Sequence, residues 1–278
     1  MIDLHTHTDE SDGTFSPKEL IEEARRVGLQ ALAITDHDTF AGYDLAVPHA
    51  ERCGVELICG IEVSTKYSGH SIHLLAYFLR RVPSHEFRKW ITSLQTSRQR
   101  RNEALVQKLC SRGVPITLED VKASGRKVIA RPHFASVLVE RGYAISREDA
   151  FERYLDEGAS CFVAREEPTF DEAIGQIRTS DALAVLPHPG RLNVTQEQME
   201  TMVREMCDLG LVGIEAYHSD HSRAQMEYYS SMSRKCGIAI TGGSDFHGAT
   251  KPDIALGTGI GGNLNTPYAL LDELRQLR

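Results

Sequence analysis

Short apolar runs along this chain keep ending in histidines and carboxylates, and that recurrence limits the folds open to it. Near the N-terminus Asp3-Leu4 leads into His5-Thr6-His7. In an extended segment alternate side chains share a face, so His5 and His7 aim two imidazoles at one point. The run at 31–35 ends in Asp36-His37-Asp38, and the run at 55–61 ends in Glu62. The run at 182–186 leads to Pro187-His188-Pro189, and 211–215 leads to Ala216-Tyr217-His218. The last, 238–241, leads to Ser244-Asp245-Phe246-His247. The run at 71–77 differs, because its histidine, His73, lies near the middle.

Helical patterns fill the gaps. Ser16-Pro17-Lys18-Glu19 is a helix start, with serine as N-cap, proline in the first turn and glutamate three residues after the cap. Gly28, Gly54, Gly210 and Gly237 stand where glycine closes helices. Strands alternating with helices predict a parallel sheet with right-handed crossovers. In a β/α barrel the C-terminal strand ends meet at one mouth. A doubly wound sheet would string them along a crevice. Ligand-type residues from nearly every strand must converge, which favours the barrel.

The alternation breaks after Tyr77. Residues 84–112 read as one long charged helix carrying Trp90, and capped starts recur at Thr117 and Ser146. Roughly a hundred residues then pass before the next strand, far more than a βα connection uses. Residues 99–160 are therefore expected to form a mostly helical insertion, with 1–98 and 161–278 as the two parts of the barrel.

The formal charge of −8 argues against coating nucleic acid, which uses a basic surface. A small anionic substrate held by a few arginines and cations remains compatible. The six cysteines are scattered without Cys-x-x-Cys, so reduced thiols are expected. No run approaches the ~20 apolar residues of a membrane span, and Met1-Ile2-Asp3 opens no secretory signal. A soluble cytoplasmic protein is expected. Neither Gly-x-Gly-x-x-Gly after the first strand nor Gly-Lys-Ser/Thr occurs, which speaks against nucleotide-cofactor binding.

The strand-end residues have a coherent chemistry. His5, His7, Asp12, His37, Glu62, His73, His188, Asp245 and His247 supply imidazole and carboxylate donors without thiolates. That set suits Mn²⁺, Fe²⁺ or Zn²⁺ and disfavours a structural zinc knot. One ion takes about four to six ligands, so nine donors serve two or three divalent metal ions when carboxylates bridge. His49, His70, His85 and His221 read as surface residues.

The same stretches carry a resemblance. Asp3–His7, Asp12-Gly13-Thr14, Ile34–Asp38, Gly60–Ser64, His188-Pro189 and Gly243–His247 are similar, in order, to the motifs of the PHP (polymerase and histidinol phosphatase) superfamily. Within it the chain resembles the TrpH/YciV-like branch, through Ala130-Arg131-Pro132-His133 and the segment Tyr217 to His221. The resemblance implies an α/β fold, a distorted (β/α)7 barrel with the insertion as a cap, and a trinuclear metal site, with Mn²⁺ expected. It places His5, His7, Glu62 and Asp245 on one ion. Glu62 would bridge to a second with His73 and His188, and Asp12, His37 and His247 would hold the third. It further implies removal of the 3′-phosphate from 3′,5′-bisphosphonucleotides and 5′-to-3′ trimming of short RNA. No membrane and no stable nucleic-acid complex would be a partner.

Arginine forks match phosphate oxygens, and Arg131, Arg165 and Arg191 are the candidates for binding them. His133 and His218 are candidates for phosphate binding or for protonating the leaving oxygen. The same donors would also serve an amidohydrolase, a histidinol-phosphatase-type hydrolase or a non-catalytic metal-binding module. The arginines favour phosphate chemistry.

Overall fold

The computed structural model describes residues 1–122 and 127–277. Residues 123–126, within the expected insertion, lie outside the described residues. The chain forms two compact units, Met1–Lys89 with Pro168–Arg278, and Trp90–Glu167.

The first unit is built on a seven-stranded sheet whose spatial order follows the chain: β1 (Ile2–Asp3), β2 (Ala31–Ile34), β3 (Glu56–Tyr67), β4 (His70–Phe78), β5 (Leu183–Leu186), β6 (Gly213–His218) and β7 (Ala239–Gly243). The sheet closes on itself where the first strand meets the last. The Leu4 N–H donates to Gly242 O at 3.1 Å, Asp245 N–H to His5 O at 2.8 Å and His7 N–H to Phe246 O at 3.0 Å. Thr6 forms a parallel bridge to Phe246. Gly243 makes this approach feasible, because a Cβ there would lie 2.4 Å from the His5 backbone nitrogen.

The expectation of an all-parallel sheet fails at one strand. β4 runs antiparallel to both β3 and β5. The reason is the connection, which is too short to hold a crossover helix. Ser68 and Gly69 make the turn with φ of 48° and 84°, the left-handed pair that a tight hairpin requires. One further reading changes with it. Glu62 does not end its strand, since β3 continues to Tyr67. His73 lies near the middle of β4, as expected, paired with Ser64.

Helices flank the strands. α1 (Pro17–Arg26) begins with the expected capping box between Ser16 and Glu19, and α2 (Ala41–Cys53) ends at Gly54. α1 and α2 bury Leu20, Ile21, Ala24 and Ala46 against Leu32 and Ile34 of β2. Fully burying such aliphatic side chains stabilises by about 1.5–3 kcal/mol each. A second cluster joins Ile2, Leu4, Ala33, Ile58, Leu75, Tyr77 and Val185 to Leu271 and Leu274.

α3 (His85–Ser111) begins in the first unit and continues into the second. There it is followed by α4 (Leu118–Lys122), α5 (Arg131–Glu140), α6 (Arg147–Ala150) and a π-helical turn at Phe151–Leu155. Leu105, Leu109, Phe134, Leu138, Leu155 and Cys161 form that unit's own core. In the first unit α7 (Phe170–Thr179), α8 (Gln196–Leu209) and α9 (Arg223–Cys236) alternate with β5 to β7. A small hairpin, β8 (Ile254–Ala255) and β9 (Gly259–Ile260), precedes α10 (Ala269–Gln276), which carries Leu271 and Leu274. No helix among the described residues is long and apolar enough to cross a membrane.

Candidate metal centre

Backbone pinning at the barrel mouth comes from buried carboxylates. Asp3 accepts from Ser244 N–H at 2.9 Å, Ser244 O–H at 2.5 Å and Gly257 N–H at 2.8 Å. Asp36 accepts from Thr8 N–H, Thr8 O–H and Ser11 O–H at 2.7, 2.6 and 2.6 Å, which folds the loop that presents Asp12. Asp38 accepts from Ser64 N–H at 2.9 Å, tying the end of β2 to β3.

Glu62 is the hub of the side chains held this way. It is 1 % exposed. Its Oε2 lies 3.3 Å from His5 Nε2, 3.2 Å from His7 Nε2 and 3.2 Å from His37 Nδ1. Its Oε1 lies 2.8 Å from His73 Nδ1 and 2.9 Å from His188 Nε2. Asp245 Oδ1 is 3.6 Å from His5 Nε2 and 3.3 Å from His7 Nε2. Asp12 completes a third group, 3.6 Å from His7 Nδ1, 3.6 Å from His37 Nε2 and 3.3 Å from His247 Nε2. All nine side chains singled out in the sequence thus lie in overlapping groups whose donor atoms are within 4.8 Å of one another.

Comparison with known proteins gives the cluster a context. A model of the PHP domain matches residues 3–180. The chain is a PHP-domain protein. It is 32% identical over 245 residues to a 5′-3′ exoribonuclease of Haemophilus influenzae, covering 88% of this chain and 89% of that one. It is 28% identical over 248 residues to a 3′,5′-nucleoside bisphosphate phosphatase of Chromobacterium violaceum, covering 88% and 87%. A solved structure from Bifidobacterium adolescentis, described as a candidate metal-dependent phosphoesterase, superposes with a TM-score of 0.82 at 32% identity. That match covers 100% of this chain and 96% of the other.

The PHP cluster fits divalent cations on its own geometry. His7 Nδ1 is buried without a hydrogen bond, 3.6 Å from Asp12, while its Nε2 is shared between Glu62 and Asp245 at 3.2 and 3.3 Å, and His37 Nδ1 is buried 3.2 Å from Glu62 without a well-aligned hydrogen bond. Such groups are costly to leave unsatisfied, at about 1–3 kcal/mol each. An ion accepting their lone pairs removes that cost. His188 and Asp245 also sit in left-handed backbone, with φ of 31° and 56°. Strain of this kind, on the order of 1–3 kcal/mol per residue, gathers at functional sites.

The charges follow from the crowding. Burial opposes a proton on His7, but Asp245, Glu62 and Asp12 outweigh it and raise His7 to about 9. His5 is raised well above its ordinary value by Glu215, Glu62 and Asp245, again against burial. Burial wins at His37, lowered to about 3, and at His188, lowered to about 4. Raised histidines favour the protonated fold below pH 6.5, and that contribution is lost as pH climbs through about 9 at His7. A cation must displace these protons. Adding Mn²⁺ to metal-free protein at pH 7.5 in weak buffer is expected to release at least one proton per chain, and affinity to rise with pH up to about 9. Uptake without proton release in a pH-stat titration would contradict this assignment.

Glu215 is the main residue that sequence reasoning missed. It is fully buried, 3.0 Å from His5 Nδ1, and accepts the His188 backbone N–H at 2.8 Å. It therefore fixes the His5 ring with Nε2 toward Glu62, the role a carboxylate commonly plays behind a ligating imidazole. Its carboxyl is held down to about 2, because the charge of His5 outweighs burial. The signal was present: an apolar run closing in glutamate, as at Ile61-Glu62. His221 is a second correction. It is 3 % exposed rather than a surface residue. Its Nδ1–H donates to Ala216 O at 2.9 Å, and its Nε2 accepts from Gly190 N–H at 3.2 Å, bridging the loops after β5 and β6.

The proposed substrate residues divide between the units. In the first, His218 Nδ1 accepts the Asp220 N–H at 3.1 Å. Its proton therefore sits on Nε2, which is buried without a hydrogen bond 3.7 Å from Asp245 Oδ2. Arg191 gives Nε and Nη2 to Asp220 at 2.8 and 2.5 Å, and Nη1 to Asp245 at 2.7 Å. In the second unit Arg131 reaches Leu155 O at 3.4 Å and lies over the Phe162 ring. His133 Nδ1 accepts the Ala130 N–H at 2.9 Å. Arg165 is buried, 3.4 Å from Glu167. Arg101 stands among these arginines: burial, then the charges of Arg98, Arg131 and Arg165, lowers its guanidinium to about 9.

Proposed function

We propose that this PHP protein is a metal-dependent phosphoesterase that removes the 3′-phosphate from a 3′,5′-bisphosphonucleotide, with 5′-to-3′ trimming of short RNA as a second activity of the same site. The observation that carries the reading is the Glu62-centred set of buried nitrogen and oxygen donors. Identity to a bisphosphate phosphatase and to an exoribonuclease supports the substrate class.

His5, His7, Glu62 and Asp245 would hold one cation. Glu62 with His73 and His188 would hold a second, and Asp12, His37 and His247 a third. Bound there, divalent cations would supply an acidified water and neutralise charge on phosphoryl oxygens. The remaining work belongs to the side chains. Glu215 keeps the His5 ring in one tautomer. His218 holds a proton on Nε2, facing Asp245, where it is placed to donate to a phosphoryl or leaving oxygen. Asp220 and Asp245 fix the Arg191 fork in one orientation. Arg131, Arg165, Arg98 and Arg101 concentrate positive charge in the second unit, and guanidinium forks match phosphate oxygens.

The test is turnover of adenosine 3′,5′-bisphosphate with Mn²⁺, with and without chelator, beside p-nitrophenyl phosphate. Arg131→Ala is expected to raise KM for the bisphosphate by about 10- to 100-fold, the loss of a charge-assisted contact. KM for the generic ester should change by less than about threefold. Equal losses on both substrates would remove the arginine cluster from the reading. Chelator-insensitive turnover would remove the metal.

A further inference from the structure

Asp245 is shared unevenly. Its Oδ1 faces the rings of His5 and His7, whereas its Oδ2 faces outward to Lys251 Nζ at 2.5 Å, Arg191 Nη1 at 2.7 Å and His218 Nε2 at 3.7 Å. One carboxylate charge is thus divided between a lysine, an arginine and any cation held with His5 and His7. Arg191 has a second carboxylate, Asp220, on two of its three nitrogens. Lys251 has Asp245 as its single ionic partner among the described residues. Once Asp245 is engaged by a cation, the lysine charge is the one left without compensation.

Lys251 is also held in place. Gly248, at a φ of 63°, reverses the chain after His247. The Ala249 N–H donates to Thr14 Oγ1 at 2.8 Å, and Thr250 O–H to Asp12 O at 3.4 Å. The loop that presents Asp12 therefore also positions Lys251, whose side chain stays 29 % exposed on the mouth side of Asp245.

We propose that Lys251 is a substrate-binding residue of this site, its ammonium taking a non-bridging phosphoryl oxygen alongside the His218 Nε2–H and selecting for the dianion of a phosphomonoester. The inference rests on the phosphoesterase reading above. A residue that only balances Asp245 would affect metal retention and leave phosphate binding by the loaded protein unchanged.

The experiment compares Mn²⁺-loaded full-length wild type, Lys251→Gln and Lys251→Arg, with inorganic phosphate as the calorimetric probe and metal content measured in parallel. Lys251→Gln is expected to keep its Mn²⁺ and to weaken phosphate binding about 10- to 100-fold, the range for a charge-assisted contact. Lys251→Arg should recover all but a few-fold of it. On nucleotide substrates, kcat/KM for a monoester should fall about tenfold more than for its methyl diester, which carries one charge fewer. Wild-type phosphate affinity in metal-saturated Lys251→Gln would overturn the proposal while leaving the phosphoesterase reading intact. So would metal loss that accounts for the whole defect. Failure of loaded wild type to bind phosphate would instead remove both.

Discussion

Replacing Glu62 with alanine is expected to leave a folded protein that retains no tightly bound cation and loses about 10⁴-fold or more in turnover. Both carboxylate oxygens are committed, Oε2 toward His5, His7 and His37 and Oε1 toward His73 and His188. Among the described residues no other carboxylate lies within 4 Å of ring nitrogens in both halves of the cluster. Its charge is held well below the usual carboxylate range, because His37, His73 and His5 outweigh burial. A neutral side chain therefore loses the bridge and leaves five imidazoles facing one another. Metal activation contributes several kcal/mol to such hydrolyses, and about 5.5 kcal/mol is 10⁴ in rate. Glu62→Gln keeps the shape and isolates the charge, and should fail nearly as badly. Metal analysis and a phosphatase assay decide the matter. A variant that retains stoichiometric Mn²⁺ and a tenth of wild-type turnover would dismiss Glu62 as the hub.

The second large effect is structural. A Cβ at Gly243 would stand 2.4 Å from both the backbone nitrogen and the Cβ of His5. Backbone cannot yield as a flexible side chain does, so Gly243→Ala must push β7 away from β1. Overpacking of this kind costs about 1–3 kcal/mol and occasionally more. Here it also loosens the Leu4–Gly242 and Asp245–His5 hydrogen bonds that seal the sheet. The expected result is a melting temperature lower by several degrees together with weakened metal binding, since His5 and Asp245 shift with the seam. An unchanged melting curve would show that the two strands close differently.

How far the sequence predicted this arrangement depends on the range of the interaction. His5 with His7, and Asp245 with His247, were readable because alternation along an extended chain is local. Their counterparts on other strands followed from the single rule that parallel strands end at one mouth. The rule misled where its premise failed. β4 is joined by two residues rather than a helix, so His73 enters from a strand running the opposite way. Glu62 looked like a strand terminus because the apolar run stops there, while the ladder continues to Tyr67. Lys251 was invisible for another reason. A loop lysine has no spacing signature, and only the closed cylinder brings it to Asp245. The same holds for Arg191, whose charge was legible but whose pairing with Asp220 was not.

The seam that joins the opening strand to the closing one sets a condition on synthesis. His5 and His7 are made before their partner strand, which is translated some 240 residues later. A nascent chain cannot seal the cylinder or gather the full donor set until His247 has emerged, so prematurely terminated products would be inert rather than promiscuous hydrolases. The full donor set is completed in a single step, when the strand that leads to Asp245 and His247 emerges.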